Sequence, residues 1–236
     1  MSQMAALRPA AGASSRKAVL NSIQQSTAEL ELLRPTLNLL NHPPLSPRSH
    51  EVFARCYGVG AQYARSEDAV IAANLPLAEL RAADIGLQSM SLLCAAAGKL
   101  NALRKPIAHN RLCDYTGKFA IGVVEDASQI CDNLLSVRSI ALPVYQRLLR
   151  DEHAHPVCLQ QVLLHLLAWK SDSPWVRQQA QRLLWQGGIL GEQGAAGLVA
   201  LDNEIAMLEI RWPSLWSLLA LTGFLARYPA GPMFID

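Results

Sequence analysis

The chain has 236 residues, of which 51% are apolar, 17% charged and 6% aromatic, and its formal net charge is +2. A chain this apolar buries enough surface to offset its ordering entropy, which excludes wholesale disorder. So small a net charge excludes a global field that draws a protein onto nucleic acid or anionic lipid.

Thirty-nine leucines and 34 alanines recur at helical spacing from Lys17 to Arg227. Both residues lose little entropy in a helix, and alternating β-branched runs are almost absent, so an all-α fold is expected. The pattern divides into an irregular bundle of about 8–10 helices, at the usual helix length of roughly 11–12 residues.

Residues 1–15, rich in Ala, Ser, Gly and Pro, read as a disordered leader without the apolar stretch of a signal peptide. The helix expected over residues 16–34 carries Leu20, Ile23, Thr27 and Leu30, with Leu37 beyond, a short heptad seam suited to the domain's own core. His42, Pro43, Pro44, Ser46 and Pro47 then make 41–47 the clearest linker. Two or three helices follow over 49–103. Ser66, with Glu67 and Asp68 behind it, is expected to start one of them and Pro76 another, whose Leu77, Leu80, Ala83, Leu87, Met90 and Leu93 share a face.

Lys99, Arg104, Lys105, Arg111 and Lys118 against the lone Asp114 make residues 99–118 a net +4 stretch. It is expected to be a solvated connection between helices, with a phosphate or nucleic-acid patch as the alternative. Val123 to Leu135 carries a clean amphipathic stripe, and Pro143 either kinks or divides the helix that continues toward Leu149. His155 and Pro156 open another helix. Ser171, Asp172, Ser173 and Pro174 announce the next, through a capping residue followed by proline at the first helical position. The segment 172–184, with Val176, Arg177, Ala180 and Leu183, resembles half of a HEAT-like helix pair, but no companion copy recurs at the repeat period. Gly187 is a plausible C-cap. Helices are expected near 195–209 and 213–227, and an extended tail over 229–236. The expected organisation is one helical domain over 16–228, with sub-boundaries at 41–47 and 104–115.

Chemistry is sparse. Five cysteines form no Cys-x-x-Cys pair, and an odd count without a secretory signal suits the reducing cytoplasm. The densest set of potential metal ligands is Glu152, His153, His155 and Cys158, of which His155 and Cys158 are the weak metal candidates. His153 and His155, two apart, point to different sides of a helix, so no metal site and no cofactor is expected. Glu125, Asp126 and Asp132 could hold magnesium only if Asp202 and Glu204 converged on them from a second helix. No Gly-x-Ser-x-Gly elbow is present. The apolar run 212–226 is shorter than the roughly 20 residues a membrane span requires.

Leu92–Leu100 (LLCAAAGKL) and Leu218–Arg227 (LLALTGFLAR) are similar to two core helices of the all-helical triphosphoribosyl-dephospho-CoA synthases. They consist of common helix formers, and no polar nucleotide-handling motif of that family lies between them. The resemblance therefore transfers no active-site residue and is assigned to composition.

On these grounds the expected function is non-enzymatic protein–protein binding, as an adaptor, assembly subunit, regulator or chaperone-like factor of a bacterial complex, with a protein partner or a second copy as the occupant. Trp175, Trp185, Arg211, Trp212, Trp216 and Phe234 are the candidate anchors, because aromatics and arginine dominate interface energetics. Two alternatives stand beside it. One is an all-α enzyme acting with magnesium on a phosphorylated or diphosphate substrate, through Lys105, Arg111 and the acidic helix near Asp126. The other is a nucleic-acid-associated factor using the 99–118 stretch.

Overall fold

Residues 92–100 and 214–225 contain one charged side chain between them, and the helices they form are buried on every side. The computed structural model describes residues 11–66, 74–103, 124–132 and 134–227. These residues form ten α-helices and no strand: α1 Ala11–Leu33, α2 Pro47–Ser66, α3 Leu77–Ala82, α4 Ile85–Leu103, α5 Val124–Cys131, α6 Leu142–Arg150, α7 His155–Lys170, α8 Pro174–Trp185, α9 Gly194–Met207 and α10 Leu215–Arg227. The all-α expectation holds.

The two buried helices, α4 and α10, pack on each other at the centre. Helix α2 lies against α4 so closely that a Cβ at Gly98 would collide with the backbone carbonyl of Tyr57, which is why a glycine stands there. From the same turn of α2, the Tyr57 ring meets Phe224 of α10 edge-on at 5.4 Å. Helix α1 runs along α10, where Ser26 donates to the Ala220 carbonyl and Gly223 leaves room for the Ser26 side chain. The seam residues Ile23, Thr27, Leu30 and Leu37 are buried in this core and Leu20 is half-buried against it. Helices α7 and α8 form an antiparallel hairpin, and α9 is the edge helix laid against α8.

Several boundaries differ from expectation for local reasons. Helix α1 already includes Ala11, inside the proposed leader. Ser66 is the last described residue of α2, and the helix start expected there with Glu67 and Asp68 lies outside the described residues. The face shared by Leu77 and Leu93 is broken at Ala83–Asp84, where the Asp84 carboxylate accepts the Leu87 N–H at 2.8 Å and caps α4 afresh. Before Pro143 the chain widens into a π-turn, Val137–Ala141, and the Leu142 N–H bonds the Val137 carbonyl. A proline amide cannot serve the ordinary register, and the ladder slips by one residue just before it. The Ser173 hydroxyl accepts the Val176 N–H at 3.4 Å, as its capping role requires. Arg177 donates to the Ser171 carbonyl at 2.5 Å, closing its own turn rather than bracing a neighbouring repeat. Gly187 (φ +102) does end α8 in the left-handed region.

The leader residues 1–10, most of the basic stretch, including Arg104, Lys105, Arg111 and Lys118, and the tail with Phe234 lie outside the described residues. No helix among the described residues is long and apolar enough to cross a membrane.

Candidate functional site

Helix α9 ends in a Schellman-type reversal: the Ile210 N–H bonds the Ile205 carbonyl and Glu209 takes φ +54, a conformation that usually falls to glycine. This reversal aims the chain back across the molecule and sets Arg211, Trp212 and Pro213 ahead of α10. Opposite lies the short turn Asn38–Leu40. Asp202, on the last turns of α9 and fully buried, holds that turn in place. One carboxylate oxygen accepts the Asn38 N–H at 2.6 Å and the Asn38 Nδ2–H at 3.0 Å, and the other accepts the Leu39 N–H at 2.9 Å. Three donors satisfy a carboxylate that burial alone would penalise. Arg34 completes the anchoring by donating to the His42 carbonyl at 2.9 Å.

Between these two segments opens a cleft of about 580 Å³, lined among others by Asn41, His42, Glu209, Arg211, Trp212 and Trp216. Its volume falls within the roughly 300–1,000 Å³ typical of small-molecule sites. The His42 ring lies flat on Trp216, with centroids 4.4 Å apart and planes 13° from parallel. His42 Nδ1 donates to the Pro43 carbonyl at 2.7 Å, which fixes the ring. Its Nε2 faces Gly86 and stands 3.6 Å from Asp84, and any Cβ at Gly86 would occupy the space of that ring. Trp216 is 3% exposed, and its indole N–H has no acceptor among the described residues. Arg211 and Glu209 are exposed and form no ion pair among the described residues. A smaller pocket of about 40 Å³ continues past Arg211 and Trp212 toward Ser171–Ser173 at the start of α8. The arrangement offers a flat aromatic wall, an unpaired cation and two asparagine side chains at one opening.

Of the sequence-predicted anchors, the fold therefore brings Arg211, Trp212 and Trp216 together on one cleft. Trp175 is half-buried against the core, and Trp185 is 86% exposed at the far end of α8. His42 was legible only as part of a linker, next to Pro43 and Pro44. Asp202 serves the Asn38–Leu40 turn rather than a magnesium cluster.

A second polar cluster joins four helices. Arg227, at the end of α10, pairs with Glu29 of α1 and also reaches Tyr145 Oη of α6 at 3.1 Å and His155 Nδ1 of α7 at 2.6 Å. Tyr145 and His155 share a hydrogen bond of 2.8 Å. Burial pushes the Tyr145 hydroxyl pKa well above its ordinary value, so it stays protonated. His155 is thus engaged by protein groups. Cys158 is buried and donates toward the His153 carbonyl at 3.6 Å, and burial raises its thiol pKa, the opposite of what a thiolate ligand needs. No three His, Cys, Asp or Glu side chains converge among the described residues.

Lys99 requires a correction. It is 1% exposed on α4, with its ammonium 4.8 Å over the Tyr63 ring, so it is no part of a surface patch. An apolar stem and an aromatic face make such burial tolerable.

Comparison with known proteins overturns the functional expectation. The chain is 32% identical over a 182-residue alignment to the 2-(5''-triphosphoribosyl)-3'-dephosphocoenzyme-A synthase of Klebsiella pneumoniae, covering 62% of this chain and 60% of that protein. It is 28% identical over 185 residues to the protein of the same name from Escherichia fergusonii, covering 63% and 61%. A probable synthase from Salmonella gallinarum matches at 32% over 182 residues, with the same coverage as the first. The chain spans about 60% of the length of the curated relatives it matches. No family model and no solved structure matches it. Relatives named as biosynthetic enzymes contradict the non-enzymatic reading, with its adaptor, assembly-subunit, regulator and chaperone-like roles. Identity sustained over 182 residues also exceeds shared composition, so the assignment of LLCAAAGKL and LLALTGFLAR to composition is withdrawn.

Proposed function

We propose that this protein is an enzyme of the kind its relatives' name describes, one that joins a triphosphoribosyl unit to a dephospho-CoA acceptor. The observation that carries this is the 32% identity over 182 residues to the Klebsiella pneumoniae synthase. The enzyme alternative drawn from the sequence, action on a phosphorylated substrate with magnesium, belongs to the same class.

The chemistry follows from the product's name. A nucleoside triphosphate is a 5-triphosphoribosyl unit carrying a base at its anomeric carbon, so it is the natural donor. Transfer of that unit to an acceptor hydroxyl forms a glycosidic bond and releases the base. What a protein must supply is alignment of two large, anionic substrates, a role worth several kcal/mol of barrier when the reacting atoms are held in register. The described residues contain no cluster of three metal-ligating side chains. A triphosphate carries magnesium of its own, held by its phosphate oxygens, so no step is assigned to a protein-held ion. The cleft beside Arg211 and Trp212 is the site the geometry favours for one of the substrates. The four cysteines described are free thiols, which supports a cytoplasmic setting.

The test is incubation of the purified protein with dephospho-CoA, ATP and magnesium, followed by mass spectrometry. A product heavier than dephospho-CoA by one triphosphoribosyl unit, together with free adenine, is expected. Absence of that product at enzyme concentrations equal to substrate would overturn the proposal.

A further inference from the structure

Two features of the cleft are unexplained by the fold alone. First, its floor is a buried ring pair, His42 and Trp216, stacked parallel with centroids 4.4 Å apart, beside which the half-buried Trp212 lines the same cleft. Holding the pair so requires Gly86, whose missing Cβ gives the imidazole its place, and the Pro43 carbonyl, which fixes the ring's Nδ1. Second, the polar groups at the opening are unused. Arg211 forms no ion pair among the described residues and Asn41 makes no side-chain hydrogen bond among them, while the buried Trp216 N–H lacks an acceptor. Asp202, by contrast, is saturated and fixes only the architecture.

A flexible, saturated chain gains little from a flat aromatic wall, whereas a planar heterocycle gains stacking on either side and hydrogen bonds from amides at its edge. An unpaired arginine fits a phosphate group, which it can meet with two parallel N–H donors.

We propose that this cleft seats an adenosine 5'-diphosphate moiety, with the adenine against Trp212 and the His42–Trp216 floor and the diphosphate at Arg211. The inference rests on the enzymatic reading above for its substrate class and deepens it, because the same moiety occurs in dephospho-CoA and in ATP. Trp212 and Arg211 are then binding residues, and His42 and Gly86 position the floor.

Calorimetric titration of the full chain with ADP tests this, with ribose 5-phosphate and phosphopantetheine as probes lacking the base. Binding of ADP and failure of both other probes at the same concentrations are expected. Trp212→Leu should weaken ADP about ten- to a hundredfold, the range set by loss of one stacking partner. Arg211→Gln, an exposed change that leaves the fold intact, should weaken ADP while leaving adenosine affinity unchanged. Competition then separates the two sources: displacement of ADP by dephospho-CoA but not by ATP assigns the cleft to the acceptor, and the reverse assigns it to the donor. Absence of ADP binding, equal binding of ribose 5-phosphate, or an unchanged ADP affinity in both variants would overturn the proposal. The failures are distinguishable. ADP binding that depends on Trp212 without product formation removes the synthase reading alone, and product formation with ADP affinity indifferent to both variants removes the cleft assignment alone.

Discussion

The Arg227 cluster and the Trp212 cleft both gather polar and aromatic side chains from elements far apart in sequence, yet they differ in how their hydrogen-bonding capacity is used. Around Arg227, a carboxylate, a phenol and an imidazole from three other helices surround one guanidinium nitrogen, Nη2, while Nη1 is buried without a partner among the described residues. That cluster is a clasp that ties α1, α6, α7 and α10 together. In the cleft, the saturated group, Asp202, faces the scaffold, while the groups at the opening are left without partners. A charge met by its counter-charge inside the core marks architecture, and polar groups left unpaired at an opening mark a place for a ligand.

The sharpest way to break this distinction is to remove one side of the clasp. Glu29→Ala leaves Arg227, 13% exposed, facing Tyr145 and His155 with no counter-charge. A loss of about 3–5 kcal/mol in urea unfolding is expected, as for other buried pairs cut on one side, with the double variant Glu29→Ala/Arg227→Leu costing less than the sum. ADP affinity of the folded fraction should not change. Asp202→Ala comes next: it strands the Asn38 and Leu39 amides, costs about 2–4 kcal/mol, and lowers ligand affinity through the misplaced turn. Gly86→Ala should sort the two effects most cleanly. It displaces the His42 ring from Trp216 at a cost of about 1 kcal/mol, since a side chain rather than backbone must yield, and it weakens ADP binding measurably by calorimetry.

Acid sensitivity probes the scaffold separately. Burial lowers the pKa of His50 on α2 and of His165 on α7, the latter helped by Arg147. With a folded pKa below the ordinary 6.5, each ring binds its proton first in the unfolded chain. Stability from these two groups is therefore full above about pH 6.5 and is lost as the pH falls from there toward their folded values. His165→Gln should flatten that slope in a pH series of thermal melts. The smallest effect is expected at Trp185, 86% exposed: Trp185→Gln should shift unfolding by under about 0.5 kcal/mol and leave ADP binding unchanged.

The helices were legible because leucine and alanine spacing records the buried face directly. The seam of α1, the caps at Pro76 and Ser173, and the turn at Gly187 all follow from local chemistry. Breaks were less so. The stripe from Leu77 to Leu93 reads as one helix but breaks at Ala83–Asp84, where the Asp84 carboxylate takes the Leu87 N–H and starts α4 afresh. Lys99 reads as a surface cation because charge is usually solvated, and only the fold reveals Tyr63 beside it. The site was half visible. Trp212, Trp216 and Arg211 stand out as aromatics and a cation flanking a proline. Their counterparts Asn38 and His42 meet them across more than 160 residues, a juxtaposition that no local spacing encodes.

Hydrogen exchange followed by mass spectrometry, with and without ADP, tests the contrast between clasp and cleft most directly. Slowed exchange confined to residues 38–42 and 205–216 is the predicted result, with the amides around Glu29, Tyr145 and His155 unchanged. Protection centred on the Arg227 cluster, or none in either region at saturating ADP, would contradict it.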